Sequence, residues 1–364
     1  MNLWFVLGTA AELIKIYSLI DEAERQQMSW RILLTGQSAN NFRMQAQDFN
    51  IPNSQIIELN PAQGDLKNSL MALRWFFKAM LIRKATIRAK IKENTAPEIT
   101  KKDFLFVHGD TLSTLIGTIY GKRLGLKIVH IEAGMRSHCW WAPFPEELSR
   151  RLVSRLAEFH MAPDENAANN LKNENITKNV TITGGNTVVD ALQLALKNSK
   201  APTRHYVIAN VHRFENLHSE SRWGQIVDLI IDVAKTQNVI FVLMPTTIEL
   251  LEKDTVSKQR LIAAGVELKH RMPFKQFTEL LHESLFVLSD GGSNQQECHY
   301  VGKPCLVLRE ITESIEGIGA SCVLAKFNPE IIQDFLANYK TYMRPTAFPV
   351  KRPTDIIFES LFHE

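Results

Sequence analysis

The hydrophobic pattern of this chain alternates between two periods along most of its length. Short apolar runs, bounded by glycine or polar residues, predict buried strands at 3–7, 31–35, 103–108, 127–132, 158–162, 180–183, 205–210, 239–244, 266–269, 285–289 and 304–308. Between most of these runs, apolar residues recur at helical spacing, for example at 192–197, 222–236 and 274–282. Alternation on this scale predicts parallel sheets with helices on both faces. We therefore expect an α/β protein.

Length and chain breaks indicate two domains. At 364 residues the chain is too long for one ordinary core and long enough for two. The polar stretch 197–204 is the expected junction, because a new series of strands and helices begins just after it. Prolines interrupt the chain late, at Pro345, Pro349 and Pro353, and 355–362 has the pattern of a short final helix.

Composition narrows the class of protein. Hydrophobic residues make up 45% and charged residues 22%, as in globular proteins, and the net charge of +3 gives no general argument for nucleic-acid binding. The start lacks the features of a signal peptide and no apolar stretch approaches a membrane span, so we expect a cytoplasmic protein. Four cysteines, Cys139, Cys298, Cys305 and Cys322, show no metal-ligand spacing. We expect reduced thiols and no metal site.

A glycine turn follows the first predicted strand. Gly8 and Thr9 open a helix that contains Lys15. Glycine permits close backbone approach, and free N–H groups at a helix start suit a phosphate. For this motif alone, an ordinary strand–helix turn is the better explanation.

Carboxylates mark the ends of later strands in the first half. Asp110 and Glu132 each follow an apolar strand, with Arg136 close behind the second. One carboxylate there could simply cap a helix, but two on neighbouring strands are costly to bury and usually have a task. Glu146 and Glu147 fall in the first turn of the next helix, where the helix dipole favours negative charge. A well-built helix start and a functional role explain these two glutamates about equally well.

The second half repeats the arrangement of polar residues after strands. His212 and Arg213 follow one predicted strand, and the glycine-rich turn Gly291-Gly292-Ser293 follows another and opens a helix. Such a turn at a helix N-terminus is a natural diphosphate site. Glu297 lies about one turn further along, where a carboxylate is well placed to hold a ribose.

Seven motifs, in this order, resemble those of the UDP-N-acetylglucosamine 2-epimerase family over nearly the whole chain: VHGDTLSTL, HIEAGMRS, PFPEELSRRL, TGGNTVVDAL, NVHRFENL, DGGSNQQE and GKPCLVLREITE. The resemblance implies a GT-B-like fold, in which two Rossmann-like domains with parallel sheets face a cleft. It implies an N-terminal domain at 1–185 that binds the sugar and is joined by a C-terminal helix within 350–364. The second domain, at 186–349, would bind UDP.

The resemblance also assigns roles by motif position. Asp110, Glu132 and Glu146 match the catalytic carboxylates of the family, and His212 matches its catalytic histidine. The expected substrate-binding and UDP-binding residues are Gly8, Lys15, Arg136, Arg213, Gly291, Gly292, Ser293 and Glu297. No metal or redox cofactor is required by the family chemistry.

The implied reaction inverts C2 of a UDP-N-acetylhexosamine by elimination and re-addition of UDP. On this hypothesis Asp110, Glu132 and Glu146 share the base and acid roles, while Lys15, His212 and the 291–293 turn hold the leaving UDP. A modified sugar is a possible substrate. Two alternatives stay open: a hydrolysing 2-epimerase that releases UDP and free sugar, and a GT-B glycosyltransferase that uses a UDP-sugar donor.

The departures from the family pattern concentrate on the diphosphate side. Ala10 and Ser314 stand where the family has arginines, and Gly291 and Gln296 replace a serine and a glutamate. Losing a charged contact to a diphosphate typically costs about 1.5–3 kcal/mol. Either other cations compensate, with Arg213, Arg271 and Arg309 as candidates, or the substrate differs.

Partner predictions follow from one segment and from the resemblance. Residues 74–92 carry seven basic and no acidic residues, interleaved with apolar ones. This pattern predicts a basic amphipathic helix, either packed on the sheet with a solvated face or in peripheral contact with an anionic membrane. The resemblance suggests a homodimer and a role in polysaccharide biosynthesis, and nothing favours a nucleic-acid partner.

Overall fold

A computed structural model describes residues 1–59, 69–137, 145–197, 206–312 and 316–362. Cys139, Pro143, Ser314 and most of the predicted junction, 198–204, lie outside these ranges. The chain divides into two compact units, Met1–Ala191 with Pro349–Glu364, and Leu192–Phe348. The domain boundaries at 185 and 350 stay predictions of where independently folding units end.

The first unit is built on a parallel sheet whose described strands are ordered β3-β2-β1-β4-β5-β6-β7. These strands are β1 (Asn2–Leu7), β2 (Ser29–Leu34), β3 (Ile56–Glu58), β4 (Phe104–His108), β5 (Lys127–Ile131), β6 (Phe159–Ala162) and β7 (Val180–Ile182). The helices between them are α1 (Ala10–Arg25), α2 (Ala39–Asp48), α3 (Ser69–Met80), α4 (Lys84–Glu93), α5 (Leu112–Leu124), α6 (Glu146–Leu156) and α7 (Glu165–Asn173), with a short 3-10 turn at Asn53–Gln55. Helix α8 (Val188–Leu196) follows β7 and contains the division between the two units. Strands β1 and β4 are apolar and buried almost throughout, as expected for a sheet covered on both faces.

The second unit repeats this plan with the strand order β10-β9-β8-β11-β12-β13. Its strands are β8 (Tyr206–Asn210), β9 (Asn238–Leu243), β10 (Glu267–His270), β11 (Val287–Ser289), β12 (Cys305–Val307) and β13 (Cys322–Leu324). Its helices are α9 (Phe214–Leu217), α10 (Glu220–Ala234), α11 (Pro245–Lys253), α12 (Thr255–Ala263), α13 (Phe274–Glu283), α14 (Gly292–Val301) and α15 (Pro329–Asn338), followed by a 3-10 turn at Tyr339–Tyr342. This is the doubly wound Rossmann order, and the predicted α/β class with two parallel sheets is confirmed.

The last helix, α16 (Pro353–Phe362), belongs to the first unit. The Thr354 backbone N–H donates to Asp190 at 2.8 Å, and its hydroxyl donates to Ser18 at 2.8 Å. The Arg352 guanidinium donates to Glu22 at 2.8 Å. Buried polar contacts of this kind fix both the position and the rotation of a short helix, whose apolar side chains Ile357 and Phe358 are buried in the same unit.

The hydrophobic pattern of the sequence did not predict two of the strands. β3 and β13 are each three residues long and lie at an outer edge of their sheets. An edge strand needs few apolar residues, so its pattern is too short to distinguish from a loop.

The prediction of a single basic helix at 74–92 is wrong, because the structure has two helices there, α3 and α4, separated at 81–83. Side chains of α5 bind the last carbonyl groups of α3: Tyr120 donates to Ala79 O at 2.5 Å, and Arg123 donates to Met80 O at 2.9 Å. Arg123 also donates to Ile82 O, in the break itself, at 3.0 Å. These side chains satisfy carbonyl groups that continued helix would otherwise bind. No helix among the described residues is long and apolar enough to cross a membrane.

Candidate active site

The carboxyl ends of β1, β4 and β5 bring together the chemistry of the first unit. These strands are neighbours in the sheet, so the residues that follow them lie side by side at one edge. Asp110 comes two residues after β4, Glu132 comes directly after β5, and Lys15 projects from α1. Sequence order separates Lys15 from Glu132 by more than one hundred positions, but their side chains touch.

Glu132 is the centre of this cluster. Lys15 Nζ lies 3.0 Å from Glu132 Oε2, Asn186 Nδ2 donates to Oε1 at 2.8 Å, and His108 Nε2 lies 3.4 Å from Oε2. Burial by itself would raise the pKa of Glu132, but the positive charge of Lys15 and the proximity of His108 outweigh it and lower the pKa to about 2. The backbone of Glu132 has φ +64, in the left-handed region that non-glycine residues rarely adopt.

Two histidines beneath the carboxylate are neutral. Burial lowers the pKa of His108 to about 4, against the opposing charge of Glu132, and lowers that of His130 to about 3. His130 Nε2 lies 2.9 Å from Gly109 O, which holds the turn between β4 and Asp110. Gly109 itself has φ +66, and a Cβ there would lie 3.3 Å from Glu132 Oε2. The turn therefore needs glycine for its conformation.

The other carboxylates differ in how they are bound. Asp110 forms an ion pair with Arg150 of α6. Glu147 is fully buried and accepts hydrogen bonds from the Ser137 backbone N–H at 3.0 Å and from Arg151 Nε at 2.9 Å. Glu146 is half-buried and has no hydrogen bond or ion pair with any described residue. Of the two adjacent glutamates, Glu147 is thus structural, and Glu146 is the one with a carboxylate available for chemistry.

The start of α1 is closed by a carboxylate of the protein. Glu12 Oε2 accepts from the backbone N–H groups of Gly8 and Thr9 at 2.9 and 2.8 Å, and Oε1 accepts from the Thr111 hydroxyl at 2.7 Å. The N–H groups of Gly8 and Thr9 are therefore occupied, as in the ordinary strand–helix turn that the sequence favours for this motif alone. The sequence held the signal in the capping box Thr9-Ala10-Ala11-Glu12. A phosphate contact by Gly8 stays a prediction that requires Glu12 to move.

Arg136 also has a protein partner. Its guanidinium group binds Glu174 in a bidentate pair, with Nε at 2.8 Å and Nη2 at 3.0 Å, and the side chain is only 2% exposed. Arg151 of α6 donates to the same Glu174 at 2.7 Å. This geometry explains Arg136 as a structural residue, and its contact with substrate stays a prediction that would require this pair to open.

Asp290 organises the corresponding edge of the second unit. Fully buried after β11, it accepts from the backbone N–H groups of His212 at 3.0 Å and Arg213 at 2.9 Å, and from Asn216 Nδ2 at 2.9 Å. His212 Nδ1 lies 3.4 Å from Asp290 Oδ1. Burial lowers the pKa of His212, against the raising effect of Asp290, so the ring is held neutral with one edge towards solvent.

The start of α14 is open, unlike that of α1. Its N-cap residue is Gly291, and no side chain of a described residue caps its first turn. A Cβ on Gly292 would meet no atom of the described residues within 4 Å. A Cβ on Gly291 would lie 3.0 Å from His212 Cε1, so the structure brings the predicted 291–293 turn against His212. Ser293 is exposed. Unbonded N–H groups at a glycine-rich helix start form a favourable anion site.

Glu297 lies one turn further along α14. It is 7% exposed, and the one hydrogen bond it receives from a described residue comes from Asn294 Nδ2 at 3.0 Å. Burial raises its pKa to about 7. Asn294, which also accepts from the Ser289 hydroxyl at 3.1 Å, was not singled out from sequence, and neither was Asn186. An asparagine has no pattern of its own, and both lie inside motifs noted for other residues.

The three arginines that are candidates to replace the missing diphosphate-binding arginines differ in burial and in position. Arg213 lies 3.5 Å from Glu215, with 30% of its side chain exposed, next to the His212 loop. Arg309 follows β12 and is 6% exposed, and Arg271 follows β10 at the edge of the same sheet. All three belong to the second unit.

Comparisons with known proteins agree with this architecture. A family model described as UDP-N-acetylglucosamine 2-epimerase matches residues 21–346. The UDP-N-acetylglucosamine 2-epimerase of Neisseria meningitidis serogroup A is 27% identical over 99% of both chains, and that of Methanocaldococcus jannaschii is 27% identical over 92% of this chain and 91% of the other. Among solved structures, the Neisseria enzyme bound to UDP-GlcNAc and the Methanocaldococcus enzyme in complex with UDP-GlcNAc and UDP each have a TM-score of 0.75 at 25% identity, covering 100% of both chains.

Proposed function

We propose, from the premise that the chain belongs to the UDP-N-acetylglucosamine 2-epimerase family, that it inverts C2 of a UDP-N-acetylhexosamine without hydrolysing it. The observation that carries this proposal is the group of carboxylates at the edge of the first sheet, with Glu132 held by Lys15 and Asn186. Glycosyl transfer needs no base at C2, whereas inversion of C2 does.

The proposed reaction has two halves. In the first, a carboxylate removes the C2 proton, the C1–O bond breaks, a C1–C2 double bond forms, and UDP departs with the electron pair. In the second, UDP adds back to C1 and a carboxylic acid on the opposite face returns a proton to C2. Two proton-transfer groups on opposite faces are therefore needed, and each contributes typically about 10²–10⁴-fold to the rate.

The environments of the carboxylates favour different roles. With a pKa of about 2, Glu132 is a poor base while Lys15 is paired with it. We therefore assign the proton transfers to Glu146 and to Asp110, whose ion pair with Arg150 has to open for it to act as a base. To Glu132 we assign the placement of Lys15 and the fixed negative charge of the site. Glu146 is the residue whose carboxylate no described group occupies. We assign Asn186 the role of a positioning residue, because its side chain donates to Glu132.

The second unit supplies the groups we assign to UDP. The open start of α14 at Gly291, Gly292 and Ser293 suits the diphosphate, and the buried Glu297 suits the ribose hydroxyls. His212 lies against the same turn and, being neutral, is able to donate a hydrogen bond to a phosphate oxygen. Arg213 adds a cation in the same loop as His212.

Isotope exchange tests the assignment. Turnover of UDP-GlcNAc in D₂O, followed by NMR, should place deuterium at C2, and Asp110→Asn and Glu146→Gln should each lower kcat by at least ~100-fold. Glu165→Gln is a matched control, because Glu165 is also a first-turn glutamate and is exposed. If either active-site variant kept its rate within a few-fold of wild type, the role given to that residue would be wrong.

Two alternative reactions are separated by the same experiment. A hydrolysing 2-epimerase would also exchange the C2 proton but would release free UDP and a free sugar. A GT-B glycosyltransferase would leave C2 undeuterated and require an acceptor, and the alanine at position 10 is the observation in its favour. A panel of UDP-sugars with modified substituents would identify the preferred donor.

The assembly state and location are parts of the same proposal. A homodimer, a cytoplasmic location and a role in polysaccharide biosynthesis rest on the family resemblance alone and stay predictions. Sedimentation velocity of the purified chain tests the dimer directly, and a monomer at micromolar concentration would contradict it.

A further inference from the structure

The buried carboxylate of Glu12 has more partners than a helix cap requires. Only 2% of the residue is exposed. Its Oε2 atom completes the cap of α1 on the backbone N–H groups of Gly8 and Thr9. Its Oε1 atom accepts a hydrogen bond from the Thr111 hydroxyl at 2.7 Å and lies 3.2 Å from the Thr114 hydroxyl. One oxygen of the carboxylate therefore serves the turn after β4, 99 residues further along the chain.

Thr111 connects this carboxylate to both groups that we assign to proton transfer. It follows Asp110 directly and is the N-cap residue of α5, where its hydroxyl also accepts from the Thr114 backbone N–H at 3.1 Å. The Thr111 carbonyl oxygen accepts from the Ser149 hydroxyl at 3.2 Å. Ser149 lies about one turn after Glu146, the first residue of α6. A displacement of Thr111 would consequently move Asp110 and the start of α6 together.

A second contact joins the same turn to α6. Arg150, the neighbour of Ser149 in sequence, forms an ion pair with Asp110. Both side chains of that pair are partly exposed, so it holds an orientation weakly by itself. Ser149 is only 1% exposed, which shields its hydrogen bond from water. Glu12 and Thr111 therefore belong to the part of the linkage that stays closed when the ion pair opens for Asp110 to act as a base.

We propose that Glu12 is a positioning residue for catalysis: it holds Thr111 and, through it, the two carboxylates that we assign to proton transfer. This inference rests on the function proposed above, in which those carboxylates belong to Asp110 and Glu146. A carboxylate suits the task because its two oxygens are able to bind the start of α1 and the turn after β4 at the same time. Small displacements matter, since misplacing a catalytic group by about 1 Å lowers a rate by about 10²-fold.

Steady-state kinetics with UDP-GlcNAc test the proposal. The rate is expressed per UDP-binding site, counted by calorimetry, so that unfolded protein does not lower it. Glu12→Ala should lower kcat by about 100-fold and leave KM within about two-fold, because the groups that we assign to UDP belong to the second unit. Glu12→Gln should be at least about ten-fold faster than Glu12→Ala. Its amide oxygen is able to accept from Gly8 and Thr9, while its nitrogen donates to the Thr111 hydroxyl.

A second variant, Thr111→Val, breaks the same contact from the other side and leaves the cap of α1 in place. Valine lacks the hydroxyl that donates to Glu12. It should lower kcat to a similar extent as Glu12→Ala, and an unchanged kcat would overturn the proposal even if Glu12→Ala did not fold. The double variant should lose no more than either single variant, because both remove one interaction. Additive losses would mean that the two residues act independently, and would also overturn the proposal.

Asp164→Ala is a matched control for the loss of an acidic helix cap. Asp164 accepts from the Ala167 backbone N–H at 2.8 Å at the start of α7, in the same unit, but it is exposed. The control should lower the melting temperature and leave kcat per site unchanged. The same loss of kcat in the control, or a loss that glutamine does not recover, would overturn the proposal. So would a lower KM for Glu12→Ala at unchanged kcat, which would show that Glu12 competes with a phosphate for the N–H groups of Gly8 and Thr9.

Failure of the proposed function gives a different result. Wild-type rates in Asp110→Asn and Glu146→Gln would refute the assignment of the proton transfers and this inference with it. Large losses in those two variants, together with an unchanged kcat in Glu12→Ala, would refute the positioning role alone.

Discussion

Replacing Glu297 by glutamine should make the protein more stable and its nucleotide site weaker. The side chain is 7% exposed and receives one described hydrogen bond, from Asn294 at 3.0 Å. An ionised carboxylate in such a place destabilises the native state, because burial disfavours its charged form. Glutamine has nearly the same shape, keeps an oxygen for Asn294, and carries no charge.

The magnitude follows from the pKa of Glu297. Burial raises it from 4.5 to about 7, and each pH unit corresponds to about 1.4 kcal/mol. Because the folded pKa is above the unfolded one, the carboxyl group's contribution to stability is fully present below pH 4.5 and is lost as pH rises to about 7. Above that pH the native state carries a penalty of about 3 kcal/mol. Glu297→Gln removes this penalty.

Denaturant unfolding at several pH values measures the effect. The variant and wild type should have similar free energies of unfolding near pH 4.5, and the variant should be more stable by about 3 kcal/mol at pH 8. In calorimetry at pH 8, its affinity for UDP should fall about 10- to 100-fold, because a hydrogen bond to a charged acceptor is lost.

The control for this prediction is Glu249→Gln, which removes a charge from an exposed position on α11 of the same unit and should change neither quantity. If Glu297→Gln and wild type had parallel stability curves from pH 4.5 to pH 8, the carboxylate would not be held at a raised pKa. If stability rose as expected but UDP affinity stayed the same, the burial argument would stand and the ribose assignment would fail.

Further predictions concern the first unit. Lys15→Met removes the cation nearest Glu132, so the pKa of Glu132 should rise from about 2. The acid limb of the pH–kcat profile should then move to higher pH, and kcat should fall by at least ~100-fold. An unmoved acid limb would mean that Glu132 does not titrate in turnover. Gly8→Ala would place a Cβ 1.8 Å from Ser113 Oγ and should lower the free energy of unfolding by about 1–3 kcal/mol, measured by thermal unfolding. Gly224→Ala lies in open space within α10 and should raise the free energy of unfolding by about 1 kcal/mol. Equal effects of the two substitutions would contradict the packing argument. Arg136→Ala breaks a buried ion pair with Glu174 and should lower the free energy of unfolding by about 3–5 kcal/mol. The specific activity of the folded enzyme should stay within two-fold of wild type. A large loss of kcat at unchanged stability would instead support substrate binding by Arg136.

Periodicity predicted most of the fold because the central strands are buried on both faces and must be apolar throughout. β1 and β8 have this property, and their positions in the sequence pattern agree with the structure to within a residue. The two strands that were missed, β3 and β13, are short edges with little to bury. The break between α3 and α4 was hidden for another reason, since Tyr120 and Arg123, which terminate α3, come from a helix about forty residues away.

The site was predictable to the extent that its residues follow strands. Asp110, Glu132, His212 and the 291–293 turn could be proposed because the carboxyl edge of a parallel sheet collects whatever comes after each strand. The partners of these residues were not predictable in the same way. Local sequence cannot report that Asn186 reaches Glu132.

The amino-acid sequence alone determined the α/β class, the family and which carboxylates to consider, because each of these depends on order and spacing along the chain. The tertiary structure decided how the polar groups are used. Glu12 closes the start of α1, while α14 is left open. Arg136 is bound to Glu174, and Lys15 to Glu132. The reason is physical: burial, hydrogen-bond partners and charge separation depend on distances between residues that are remote in sequence, and those distances exist only once the sheet has formed.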